Sequence, residues 1–159
     1  MRFVMSALLI CMCAPAMAAS PGQADIQARA LGAQRIVVAT VIDVAPRFAT
    51  NAFGDQLIVS RVWLGIQDTW KGQVSPIILI DLEGGTVGDL TLRVSDLPAL
   101  RAGVRGVFFL TGSDTGVAQL SDRARSFLQL DSANRLVGSS TLLTDVKAMV
   151  SGLARGGGH

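Results

Sequence analysis

The residues most suited to chemistry lie in one acidic, glycine-rich stretch, residues 81–89. Asp81 and Glu83 are two residues apart, so they share a face if they lie on one strand, and Asp89 follows the glycine-rich run 84–88. Such carboxylates could bind Ca²⁺ or, as a pair, hydrolyse a glycosidic bond. The alternative is a solvated strand end. We favour that alternative because the stretch lacks the dense acidic spacing of a calcium loop.

The glycines of the same stretch could also hold a phosphate with their backbone amides. A phosphate-binding loop would continue with Lys-Ser or Lys-Thr and a helix, whereas Gly88 is followed by Asp89 and a strand-like pattern. The carboxylates of Glu83 and Asp89 would also repel an anion. We therefore predict a tight turn in which the glycines supply positive φ angles.

Nucleophilic and metal-dependent catalysis lack their usual residues in this chain. The only histidine is His159, which follows three glycines at the C-terminus, and the only cysteines are Cys11 and Cys13. A serine nucleophile needs a base beside it, and a zinc site needs histidine or cysteine ligands. We predict a protein that is not an enzyme and that holds no cofactor and no metal. A carboxylate-based hydrolase is the alternative.

The N-terminus has the pattern of a signal peptide. Arg2 precedes an uncharged apolar run over residues 3–13, and residues 14–18 end in the small-x-small pattern that signal peptidase cleaves. The run is shorter than the roughly 20 residues of a membrane-spanning helix. We predict a signal peptide over residues 1–18, cleaved after Ala18 or alternatively after Ala19. The protein is then exported, periplasmic or extracellular, with no stable membrane insertion after cleavage.

The charge of the remaining chain is nearly balanced. Removing Arg2 from the 14 Lys and Arg leaves 13 against 12 Asp and Glu, a net charge of about +1. This charge provides no basic field for nucleic acid or an anionic membrane, and an aromatic content of 5% is poor for stacking bases. We predict no nucleic-acid binding. Recognition should then depend on shape and apolar contact.

Apolar and β-branched residues dominate the chain between residues 35 and 138. Residues 35–44 are apolar on both faces and predict a central, well-covered strand that Pro46 ends, followed by a polar loop over residues 47–54. Residues 56–70 predict the longest strand, with a bulge at Gly65. Shorter strands are predicted at residues 77–82, 90–94, 104–110, 117–120 and 127–130, with a last hairpin at 134–137.

Helical patterns flank this β region. Residues 19–34 predict a short helix or linker with Ser20 as its N-cap. Residues 139–155 predict an amphipathic helix with Ser139, Ser140 or Thr141 as N-cap, and residues 156–159 a flexible tail. Its apolar positions recur at helical spacing: Leu142, Leu143, Val146, Met149, Val150 and Leu153.

The order of four segments resembles a loosely defined group of uncharacterised bacterial exported β domains. These segments are the strand 36–44, the strand end 68–72, the Gly84-Gly85-x-x-Gly88 loop, and the run 94–110 with its Leu97-Pro98-x-Leu100 motif. Their order is similar to that in netrin-like and metalloprotease-inhibitor-like OB barrels. The resemblance implies a mainly β fold: a small OB-like barrel of five or six strands over residues 35–138, with a C-terminal α-helix.

That resemblance carries no catalytic residue, because fold does not determine function. The similar inhibitors have an N-terminal cysteine whose amine reaches a metal, and no cysteine of this chain lies beyond residue 13. A protease-inhibitor-like protein is therefore kept as an alternative. We predict an exported binding or interaction module whose partner is a protein or a component of the cell envelope.

Loops on a rigid scaffold commonly carry binding function. We therefore predict a binding surface formed by the segments 47–55 and 83–89, with Arg47, Phe48, Glu83 and Asp89 as its contact residues. Trp70 is a fifth candidate, because it ends a strand beside Lys71. Trp63 is predicted to lie in the core, as large aromatic residues commonly do.

Overall fold

The computed structural model describes residues 22–51, 53–112 and 116–156, and within them it contains eight strands and two α-helices. The elements are α1 (Gln23–Gly32), β1 (Arg35–Thr50), β2 (Gln56–Lys71), β3 (Ile77–Glu83), β4 (Gly85–Val87), β5 (Leu90–Leu92), β6 (Arg105–Thr111), β7 (Gln119–Leu120), a 3-10 helix (Arg123–Ser126), β8 (Phe127–Leu130) and α2 (Leu143–Gly156). The predicted mainly β fold with a C-terminal helix is confirmed. The predicted signal peptide, the Ser20 cap and residues 157–159 lie outside the described residues.

Six of the strands form one antiparallel sheet in the order β3-β2-β1-β6-β7, and β8 pairs with the other half of β6. β1 and β2 form a long hairpin that pairs from Ile36 opposite Lys71 to Thr50 opposite Gln56. The short strands β4 and β5 form a separate hairpin. β4 lies within the predicted glycine-rich turn, whereas β5 falls within the strand predicted at residues 90–94. The predicted bulge at Gly65 is wrong, because Gly65 pairs with Thr40 in regular register. The extra residues at the three register shifts are Gln67 and Trp70 on β2 and Ile42 on β1.

The sheet is not closed into the predicted barrel. Between its two ends, β3 and β7, the described residues form only a single parallel bridge, from Ile80 to Ala118, the residue before β7. In this bridge the N–H of Ala118 donates to the carbonyl oxygen of Leu79 at 2.8 Å. β7 is only two residues long, so it cannot extend this bridge into a ladder. The closed barrel is therefore wrong, and the sheet is open between these two edges.

The first half of β1 is buried on both faces, which confirms the predicted central strand. Ile36 and Val38 pack into a cluster with residues of α1 and α2. Val37 and Ala39 pack into a second cluster with residues of β2, β3 and β6. We call the side of β1–β3 that carries Val37 the inner face, and the opposite side the outer face.

The second half of β1 projects beyond β6. β1 continues to Thr50, so the predicted end of the strand at Pro46 and the polar loop over residues 47–54 are wrong. β6 pairs with β1 only as far as Thr40, which leaves Pro46 with a single partner, Ser60 of β2. A proline lacks the N–H that a second neighbour would need, and it is tolerated on such an edge.

The C-terminal helix begins later than predicted. Ser139 and Thr141 bond to each other in a turn, where the N–H of Thr141 donates to Ser139 Oγ at 3.0 Å, so neither caps α2. The N–H of Leu142 instead donates to Asp145 Oδ2 at 3.3 Å, inside the first turn. At the other end the helix includes Gly156, which the sequence assigned to the tail. The predicted hairpin at residues 134–137 is reduced to isolated bridges.

Candidate functional site

A cleft of about 520 Å³ lies between the inner face of β1–β3 and the chain that runs from β4 to residue 100. We call it the apolar cleft, because most of the side chains that line it are apolar. They are Val44, Val62, Leu82, Leu92, Val94, Leu97, Pro98, Ala99 and Leu100. Val62 and Leu82 belong to the buried core, so the floor of the cleft is fixed by packing on the sheet.

One wall of the apolar cleft is the β4–β5 hairpin, and glycines allow it to approach the sheet closely. The hydroxyl of Ser60 on β2 donates to the carbonyl oxygen of Gly84 at 2.7 Å. Gly84, Gly85 and Gly88 have φ angles of +108°, +132° and +59°, which confirms the predicted positive φ angles. The first two glycines lead into β4 instead of forming a single tight turn.

Two charged residues, Glu83 and Arg93, are among the described residues that line the apolar cleft, and both are exposed. Glu83 is the last residue of β3, and among these described lining residues it is the only one with a carboxylate. Glycoside hydrolysis with carboxyl groups requires a pair of them on either side of the scissile bond. The cleft therefore presents an apolar floor and a charged rim, without a pair of carboxyl groups.

Asp81 lies on the outer face of β3, where its carboxylate accepts hydrogen bonds from two arginines. Arg61 donates to both of its oxygens at 2.9 Å from Nε and Nη2, and Arg47 Nη2 donates at 2.9 Å. The hydrogen bonds from Arg61 hold the pKa of Asp81 below its ordinary value, against the opposing effect of partial burial. A carboxyl group that stays ionised cannot serve as a general acid, so Asp81 is not suited to that role.

Arg47 and Phe48 do not form one surface. They are neighbours on β1, so their side chains point to opposite faces of the strand. Arg47 is on the outer face with Asp81, whereas Phe48 lies on the same side as Val44, which lines the apolar cleft. Phe48 is 47% exposed and lies on β1 beyond the cleft.

Trp70 is partly buried and makes contacts within the fold. It packs against the cluster between the sheet and the helices, and its Nε1 donates to Asp68 Oδ2 at 2.8 Å. Lys147 of α2 donates to the same oxygen at 2.7 Å and lies 5.9 Å from the centre of the Trp70 ring. Trp63 was predicted to be core but is half-buried on the outer face, because its neighbours on β2 take the inner positions.

Asp89 is exposed in the turn between β4 and β5. Glu83 and Asp89 thus flank one hairpin, but Asp81 is directed to the outer face and held there by its arginines. Within the described part of the chain, no three His, Cys, Asp or Glu side chains come together as a metal site. The structure does not assemble the three acids of residues 81–89 around one point.

The main feature that sequence reasoning missed is the role of residues 92–100. Leu97, Pro98 and Leu100 entered the sequence analysis only as a motif of the resemblance, but they cover the inner face and line the apolar cleft. The apolar content of this segment could have predicted its burial, because a segment that only crosses the surface does not require two leucines and a proline. Pattern alone does not say which face such a segment covers.

Comparison with known proteins adds no relationship to these observations. No protein-family model matches the chain, and no curated protein is similar to it at a significant level. None of the helices in the described ranges has the length and apolar character needed to cross a membrane.

Proposed function

We propose that the protein is an exported, non-enzymatic binding module that takes a small apolar ligand in the apolar cleft. The observation that carries the proposal is the cleft itself, whose nine apolar side chains surround about 520 Å³ beside the inner face of the sheet. Small-molecule sites in proteins have volumes of about 300 to 1,000 Å³ and are lined mainly by apolar side chains. Glu83 and Arg93 at the rim would orient a polar end of the ligand.

A binding role is favoured over the hydrolase alternative because Asp81 is already bonded to two arginines on the outer face. Glu83, the next acid along β3, is the one carboxylate among the described residues that line the apolar cleft. The protease-inhibitor alternative lacks the terminal cysteine on which its mechanism depends, as only Cys11 and Cys13 occur. The ligand we propose is a component of the cell envelope, because residues 1–18 have the pattern of a signal peptide.

We also propose that the sheet is a partly open relative of the OB barrel. The order β3-β2-β1-β6-β7 and the parallel bridge between Ile80 and Ala118 support this proposal. OB folds are five-stranded, partly open Greek-key barrels that bind ligands on their strands and in their loops. In this chain the segment 84–100 would take the position of a loop over the open end.

The test is a binding titration with N-phenylnaphthylamine, a neutral apolar fluorophore. We expect saturable binding by the wild type and at least tenfold weaker binding by Ala99→Trp, because Ala99 is an exposed residue of the cleft and the new ring would occupy it. Ala148→Trp, at an exposed alanine of α2, is the matched control and should bind as the wild type does. Equal binding by both variants would contradict the proposal.

A further inference from the structure

A second cavity, of about 500 Å³, lies between the turn before β6 and the end of β8. In the turn, the N–H of Val104 donates to the carbonyl oxygen of Arg101 at 3.1 Å. The turn therefore brings Arg101 back towards Arg105, the first residue of β6, and both arginines line the cavity. We call it the arginine cavity.

The guanidinium of Arg105 is held in place without being neutralised. Its Nε donates to Gln67 Oε1 at 2.6 Å, and its Nη1 donates to Asn134 Oδ1. Both acceptors are uncharged amide oxygens, so the positive charge of Arg105 has no carboxylate partner among the described residues. Its Nη2 makes no hydrogen bond within the same part of the chain. A guanidinium that is fixed in orientation and keeps free donors is well suited to bind an oxyanion.

Arg101 is exposed and has neither a hydrogen bond nor an ion pair from its side chain to any described residue. The contrast with other arginines of the chain is clear. Arg47 and Arg61 share Asp81, and Arg123 pairs with Asp96. The arginine cavity is thus lined by two arginines whose guanidinium groups form no ion pair with a described acidic side chain.

Asp131 is the one carboxylate that lines the arginine cavity. Its Oδ1 accepts the N–H of Ala133 at 2.9 Å and the N–H of Arg135 at 2.8 Å, so it stabilises the turn after β8. Two guanidinium groups against this single carboxylate leave the lining with a net charge of about +1. The cavity should attract an anion, and a doubly charged anion most strongly.

We propose that the arginine cavity binds a phosphate group, either as free phosphate or as a phosphomonoester. Guanidinium groups match the oxygens of phosphate with paired hydrogen bonds, and Arg101 and Arg105 provide two such groups on one cavity. The site is separate from the apolar cleft and stands independently of the proposed function. The two cavities adjoin along the chain, since Leu100 lines the first and Arg101 the second.

The experiment is an NMR titration of the amide signals of the full protein with inorganic phosphate and, in a second arm, with glycerol phosphate. Sodium chloride at the same ionic strength is the reference. We expect saturable shifts at residues 101–105 and 129–132 with phosphate and not with chloride. The arm that binds more tightly identifies the free ion or the monoester. Shifts that are absent, or equal for chloride and phosphate, would overturn the proposal.

Three variants test the charges of the arginine cavity. Arg101→Gln should weaken phosphate binding about tenfold without affecting folding, because the side chain has no partner in the described structure. Asp131→Asn should strengthen it severalfold, since the amide oxygen can still accept the two backbone N–H bonds while the negative charge is lost. Arg47→Gln removes a positive charge from the outer face and should leave binding unchanged. An effect of Arg47→Gln equal to that of Arg101→Gln would overturn the proposal.

Discussion

Gly85 packs against Ser60 with no space between them for a side chain. A Cβ atom on Gly85 would lie 2.5 Å from Ser60 Oγ and 2.9 Å from the Cβ of Pro46. The Ser60 hydroxyl also donates to the carbonyl oxygen of the preceding residue, Gly84, at 2.7 Å. The β4–β5 hairpin is thereby fixed to the inner face of the β1–β2 hairpin, and this contact sets the position of one wall of the apolar cleft.

The first prediction concerns this contact. Gly85→Ala should lower the free energy of unfolding by about 2 to 3 kcal/mol, because it adds a steric clash to a strained positive φ. Gly88→Ala is the control: Gly88 also has a positive φ, but nothing lies within 4 Å of the point that a Cβ atom would occupy there. Gly88→Ala should lower the free energy of unfolding by only about 1 kcal/mol. Urea denaturation measures both, and equal costs would show that Gly85 is not held against the sheet.

The second prediction concerns the pH dependence of Asp81. Its pKa in the folded protein is lowered from the ordinary value of 3.8, first by the hydrogen bonds from Arg61. The ion pair therefore stabilises the fold above pH 3.8, and this contribution is lost as the pH falls through the lower folded-state pKa. At neutral pH, Asp81→Asn should lower the free energy of unfolding by roughly 0.5 to 1 kcal/mol, since the pair is partly exposed.

Urea denaturation over a pH series checks this behaviour. The difference between Asp81→Asn and the wild type should be greatest at neutral pH and should disappear well below pH 3.8. Asp89→Asn serves as the control, because Asp89 is exposed and its side chain forms no ion pair with a described residue. A difference for Asp81→Asn that grows as the pH falls would contradict the assignment.

The third prediction compares two neighbours on α2. Val146 is fully buried against the sheet, so Val146→Ala should lower the free energy of unfolding by roughly 2 kcal/mol. Lys147 bonds to Asp68 on the surface, where both side chains are about half exposed. Lys147→Gln should therefore cost less than about 1 kcal/mol, and the cost should fall further in high salt.

Thermal or urea unfolding distinguishes the two contributions. If Lys147→Gln were as costly as Val146→Ala, the attachment of α2 would depend on its ion pair and not on apolar packing. The lowered pKa of Asp68, caused first by the hydrogen bond from Lys147, gives a second readout. In Lys147→Gln the pKa of Asp68 should rise, which an NMR titration of its carboxyl carbon would detect.

The strands were predictable where apolar periodicity decides them. Residues 35–44 are apolar on both faces, and the structure buries both faces of that part of β1. The prediction failed at Pro46, because a proline ends a strand only where its missing N–H is needed. Whether it is needed depends on the reach of β6, which stops opposite Thr40. The residue of β1 at which pairing with β6 ends is determined by tertiary contacts, so the local sequence pattern does not predict it.

The candidate site was only partly predictable. The glycines at 84, 85 and 88 were correctly associated with positive φ, since few other residues adopt it. Arg47 and Phe48 were grouped because they were placed in a loop, but a strand directs them to opposite faces. The apolar cleft depends on the way residues 92–100 fold over the sheet, and that contact is long-range.

The central claim is that the apolar cleft is the binding site, and mapping a bound apolar probe tests it most directly. Amide shifts of the full protein should be recorded during titration with N-phenylnaphthylamine. Our account predicts saturable changes at Ser60, at residues 84–86 and at residues 92–100, which line the cleft. Changes confined to the outer face, around Arg61 and Trp63, would contradict it.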